Sequence, residues 1–172
     1  MLKKALPLLL LGLVVGCSSQ TGQLILKPAS GNKKFSQKFD SAFATRNSDG
    51  SYDFVLVAQD QPLRQIVHVR VPWIPERGNI SEVIVTNAAV DWYIRSENGQ
   101  DMIQYAGAGH AMAYSSAKTI DLNLKKARLK PHVRRGGLRD PLGTFDLWGD
   151  IRAERNPTRL RELLTELSQS VH

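Results

Sequence analysis

From Leu24 to Ala153 the dominant period of apolar and polar positions is two, the spacing that sends successive side chains to opposite faces of a β-strand. It predicts strands over Leu24–Lys27, Ile66–Val71, Glu82–Thr86, Thr119–Leu129 and Thr144–Ala153. In the last of these, Phe145, Leu147, Ile151 and Ala153 share a face with Gly149, and Asp146, Asp150, Arg152 and Glu154 share the other with Trp148. Such a strand has one dry side and one wet side. Two hairpins are expected at Asp-Gly and Asn-Gly pairs. Asp49-Gly50 as a two-residue turn sets Phe43 opposite Leu56, Thr45 opposite Phe54 and Asn47 opposite Tyr52, with Arg46 and Asp53 paired on the other face. Asn98-Gly99 pairs Ile94 with Ile103 and Trp92 with Tyr105.

The alternation breaks phase once. Ile120, Leu122 and Leu124 occupy even positions, whereas Ala127 and Leu129 occupy odd ones, so one extra residue at Lys125-Lys126 predicts a β-bulge or the strand's end. After Asn156 the period changes: Leu160, Leu163, Leu164, Leu167 and Val171 recur at steps of three and four and form one stripe of an α-helix over 157–171. Asn156 suits the cap and Pro157 the first helical position. The expected fold is mainly β, an antiparallel sheet or sandwich-like domain with one C-terminal amphipathic helix.

The first residues follow another rule. Lys3 and Lys4 precede an apolar run from Ala5 to Val15, too short for the ~20 apolar residues of a spanning helix but suited to a secretory signal. The run ends in Leu13-Val14-Val15-Gly16-Cys17, which resembles the lipobox of bacterial lipoproteins, with Val15 where alanine or serine is commoner. The resemblance covers the first 18 residues. It implies removal of residues 1–16, acylation of Cys17 as the new first residue, and attachment to a membrane. Serine rather than aspartate at position 18 implies the periplasmic face of the outer membrane in an envelope with two membranes. Cys17 is the chain's one cysteine and has no partner for a disulfide.

That processing leaves 156 of the 172 residues and lowers the net charge from +7 to +5 as Lys3 and Lys4 depart. Residues 17–22 read as a short tether reaching about 17 Å when extended, and 23–172 as a single domain. The surviving charge concentrates in Lys125, Lys126, Arg128, Lys130, Arg134, Arg135 and Arg139, all before the first acid at Asp140. Such a block attracts phosphates and carboxylates over about a Debye length. Beside a membrane the fitting anions are lipid headgroups, glycolipids and cell-wall polymers. Nucleic acid is not expected, because aromatic stacking residues do not interleave the cations. Pro131 and Gly136-Gly137 suggest a mobile loop following a strand, and the bland reading of the block is a solvated loop.

Other candidates carry competing readings. Trp73, between Pro72 and Pro75, is either a rigid anchor for a partner or membrane interface, or a lid over the sheet's end. His110, with Ser115 and Ser116 in a run rich in glycine and alanine, suits a hydrolytic groove or a strand packed closely under the helix. His68, His110, His132 and His172 show no metal-ligand spacing, and no catalytic pair, cofactor or metal site is singled out. The leading expectation is a non-enzymatic binding or assembly factor of the envelope, which contacts anionic components or envelope proteins. The alternatives are a hydrolase centred on His110 and a carrier for a small apolar ligand.

Overall fold

The computed structural model describes residues 21–60, 62–74 and 86–171. It is mainly β with one C-terminal helix. Nine strands follow in chain order: β1 (Gly22–Pro28), β2 (Phe35–Lys38), β3 (Ser41–Arg46), β4 (Tyr52–Asp60), β5 (Leu63–Val71), β6 (Ala88–Ser96), β7 (Met102–Ser115), β8 (Thr119–Arg135) and β9 (Phe145–Arg155). The helix α1 spans Pro157–Val171. Glu82–Val85, expected as part of a strand, lie outside the described residues, and Thr86 is irregular.

Strands β3 to β9 each hydrogen-bond the next, and β9 returns to β3, so the sheet closes into a seven-strand barrel rather than two stacked layers. The closing pair is parallel, joining Phe43 to Glu154 and Ala44 to Arg155. All the other pairings are antiparallel. Over its first half β9 lies between β8 and β1, and β2 extends that flap. The inward set of every strand fills the interior. Trp92, Tyr105 and Phe145 are fully buried there, with Trp92 and Tyr105 meeting Phe145 edge to face at 5.9 and 5.2 Å. Apolar inside and charged outside is the reverse of a transmembrane barrel.

The sequence periods hold, with one slip. Asn98-Gly99 gives the expected partners Ile94↔Ile103 and Trp92↔Tyr105. Only Gly99 has a positive φ there, and the amides of Gly99 and Ser96 close the loop on Ser96 and Asp101. At Asp49-Gly50 the register is shifted by one: Arg46 pairs with Tyr52, Ala44 with Phe54 and Phe43 with Val55. The Gly50 amide bonds the Asn47 carbonyl, and Gly50 alone takes the left-handed conformation, which adds a residue to the turn. Ala42 and Ala44 therefore enter the barrel, and Phe43 turns outward.

Phe43 has a partner outside. Helix α1 lies on the barrel's outer surface, where Leu160, Leu163 and Leu167 bury against Val55, Ile66, Tyr93 and Met102. Asn156 caps it, its side-chain oxygen accepting the Arg159 amide at 3.0 Å. Glu166 accepts from Arg64 at 2.5 Å and pairs with Arg95, the cross-strand partner of Arg64.

The phase break in β8 is a bulge. Leu124 faces Gly149 and Ala127 faces Leu147, so Lys125 and Lys126 together oppose one residue, Trp148. Gly107 and Gly109 in β7 answer to β8 rather than to the helix: a Cβ on either would collide with the carbonyl oxygens of Arg128 or Lys126.

Candidate functional site

The long strand β8 carries most of the basic block, and its registers decide where each cation points. Lys125 and Lys126 emerge at the bulge, and Arg128 and Lys130 continue outward on the same face, all exposed. The next strand on one side is β7, whose residues opposite Arg128 and Lys130 are Ala108 and Ala106, too short to cover them. On the other side is β9, whose Asp146 lies 3.7 Å from Lys126 and 3.6 Å from Arg128, beyond hydrogen-bond reach. These side chains are 69% and 65% exposed, so the pairing leaves both cations open to a further anion.

The rest of the block goes elsewhere. The strand runs on through Pro131, where the expected mobile loop would have begun, to Arg135, and a second register shift falls between Gln104 and Tyr105. The loop begins at Gly136, and its Gly137 amide donates to Asp101 at 2.6 Å. Arg134 faces Ile103 near the barrel's end, where its charge helps hold the Asp140 carboxyl low. Arg139 stands in the loop after β8. The seven cations thus form a strand-borne group of four, Arg134 and Arg135 at the strand's end, and Arg139 beyond it.

Strand pairing adds residues that the sequence reading left out. Trp148, on the wet face of β9, lies beside the bulge, and across β9 its partner is Ile25 of β1. Lys34 reaches over the Trp148 ring, with Nζ 5.5 Å from its centre, and Lys27 stands opposite Asp146. One sequence signal was available: Trp148 is the aromatic member of an otherwise polar alternate set. Farther along the same face is a depression of about 470 Å³, lined by Tyr114, Asp121, Asn123, Lys125, Asp150 and Arg152. Arg152 forks onto Asp121 and the Asn123 amide donates to Asp150, while Asn123 Oδ1 is buried without a hydrogen-bond partner among the described residues. Two anions and two cations make it nearly neutral.

Comparison with protein-family models, curated proteins and solved structures returns no match. The chemistry must therefore be read from the residues themselves.

His110 lies on the outer face of β7 opposite Lys126, while Ser115 has the opposite parity. Ser115 accepts from Arg155, and Ser116 bonds Thr119 to close the β7–β8 turn. The structure does not bring a base and a serine together there as the hydrolase reading requires. An acid–histidine contact exists instead at His68, whose Nε2 is 2.9 Å from Asp53 on the outer face. Burial pushes the Asp53 carboxyl up, but hydrogen bonds from His68 and Asn47 and the charges of His68 and Arg70 outweigh it, holding the group below the usual carboxylate range. Ser51 bonds Asn47 and Asp49.

Trp73 is 43% exposed. Its carbonyl accepts from Asn87, a buried amide that also bonds both backbone groups of Ala111, so the backbone is fixed and the ring is presented. Among the described residues no three His, Cys, Asp or Glu side chains gather to hold a metal, and no helix is long and apolar enough to cross a membrane. Leu160, Leu163 and Leu167 of α1 are buried against the barrel, with Leu164 partly so, and buried side chains pack the barrel interior. Cys17 lies outside the described residues.

Proposed function

We propose that the protein is a membrane-anchored envelope lipoprotein, held through acylated Cys17, that acts as a non-enzymatic binding or assembly factor and meets anionic envelope components through β8. The observation that supports this is the row Lys125, Lys126, Arg128 and Lys130, four exposed cations on the outer face of one strand, of which Lys126 and Arg128 share Asp146. A row of exposed point charges on an outer strand face recognises distributed negative charge rather than one small molecule; of the four, Lys125 borders the depression, whose own charges nearly cancel. The lipobox resemblance supplies the location.

The test uses detergent-extracted full-length protein on a phosphate-bearing polymer resin. Each cation near an anionic surface contributes on the order of 1 kcal/mol. Wild type is expected to be retained and to elute as salt rises, and the K125E/K126E/R128E/K130E variant to flow through. Equal elution of the two overturns the reading of β8. Intact mass of the same extract reports acyl chains on Cys17, and an unmodified full-length mass overturns the anchor.

A further inference from the structure

We infer that the outer face of β1, β9 and β8 rests against an anionic phospholipid surface, with Trp148 and Ile25 entering the headgroup layer and the surrounding lysines meeting lipid phosphates. This rests on the anchored-lipoprotein reading above and names the partner of that site.

Ile25 and Trp148, both half-buried, are direct partners across β1 and β9, so they form one apolar spot on a polar and charged face. Cations from three stretches of chain surround it: Lys34 over the ring, Lys27 two register pairs along, and Lys125 and Lys126 at the bulge. Without the bulge, Lys125 and Lys126 would point to opposite sides of β8. With it, both face outward beside Trp148. Two acids, Asp146 and Asp150, stand among these cations, fewer than the four lysines around the ring.

This composition matches a bilayer interface rather than a soluble anion. Tryptophan favours the headgroup depth, where its ring is apolar and its N–H stays wet. Lysine stems lie along the apolar layer while their ammonium groups stay at the phosphates. A soluble polymer would need the cations and have no use for Ile25. Helix α1 covers the outer surface around Val55, Ile66, Tyr93 and Met102, whereas among the described residues the outer face of β1, β9 and β8 carries no helix.

Chain entry agrees. Gly22, the first residue of β1, pairs with Ile151 of β9, two residues from the Gly149 that follows Trp148. Five residue steps separate it from Cys17, a reach of at most about 17 Å. An acylated Cys17 therefore draws the β1–β9 edge to the bilayer ahead of any other part of the barrel.

The experiment reads depth. Lipidated full-length protein is reconstituted into phosphatidylcholine–phosphatidylglycerol vesicles whose acyl chains carry bromine, which quenches nearby indole. Quenching is expected in wild type and in Trp73→Phe, and is expected to be lost in Trp148→Phe, with unchanged near-ultraviolet circular dichroism reporting that each variant is folded. In K125E/K126E the quenching is expected to fall as well. If Trp148 stays open to aqueous iodide and unquenched by bromolipid while resin retention persists, the anionic contact stands and the lipid-surface inference falls. If a soluble polyphosphate shields Trp148 and bromolipid does not, the occupant is a polymer and the inference falls likewise. Loss of retention as well as quenching overturns both readings.

Discussion

Tyr105 sits in the barrel with its ring fully buried against Phe145 and its hydroxyl donating to Asp140 at 2.5 Å. Burial, the hydrogen bond to Asp140 and that residue's negative charge all push the phenol above its ordinary value. Asp140 moves the other way: burial raises it, but the Tyr105 hydroxyl and the Gly143 and Leu142 amides hold it below the usual carboxylate range. The two shifts act at opposite ends of the pH scale. The unfolded phenol ionises at about pH 10, so Tyr105 stabilises the fold fully below that pH, and the contribution is lost as pH rises through the folded value. Asp140 contributes fully above about pH 4, and its share is lost as pH falls through its lowered value. Tyr105→Phe is expected to cost about 1–2 kcal/mol at neutral pH, with a flatter fall of thermal midpoint above pH 10 than wild type. Superimposable pH–stability curves for the two proteins would contradict the assignment. Tyr93, pushed up to about 12 chiefly by burial and also by the Asp91 charge, should likewise escape ordinary alkaline titration.

At the scale of elements, the β7–β8 hairpin is where backbone crowding is greatest. Gly107→Ala would drive a methyl into the Arg128 carbonyl and is expected to destabilise by about 1–3 kcal/mol or more. Gly31→Ala meets open space and should stay within about 0.5 kcal/mol of wild type. Urea titration of both variants checks the contrast. Removing Leu163 to alanine is expected to cost about 2–5 kcal/mol, and Asn156→Ala about 1 kcal/mol, both read by the same titration. These elements were largely legible in the sequence. The leucine stripe, the Asn156 cap and the parity break at Lys125-Lys126 are local signals, and local physics produces them. The Asp49-Gly50 register was misread because a glycine in the left-handed conformation serves turns of more than one length. A slip of one then sends Phe43, read as opposite Leu56, to the outer surface. The seat of α1 was not legible, since an apolar stripe does not say which surface receives it.

At the scale of the whole molecule, closure was the least legible feature. Each strand announces its own two faces, but the joining of β9 to β3 depends on residues far apart in the chain and leaves no periodic trace. The same holds for the candidate site. The basic block stood out by composition, whereas Trp148, Lys34 and Lys27 join it only through registers between β1, β2, β9 and β8. The barrel's two outer sides consequently differ in kind, one roofed by α1 and the other bearing the row Lys125, Lys126, Arg128 and Lys130. The resin and vesicle experiments address that asymmetry because they separate charge at β8 from contact at Trp148.

The position of β9 also sets an order in time. The gap it fills is bordered by β8 on one side and by β1 and then β3 on the other, all earlier in the chain, and each presents unpaired amides and carbonyls until it arrives. A newly made chain therefore remains an unfastened ribbon until residues 145–155 are delivered, with raw borders on both sides of the gap rather than a finished drum.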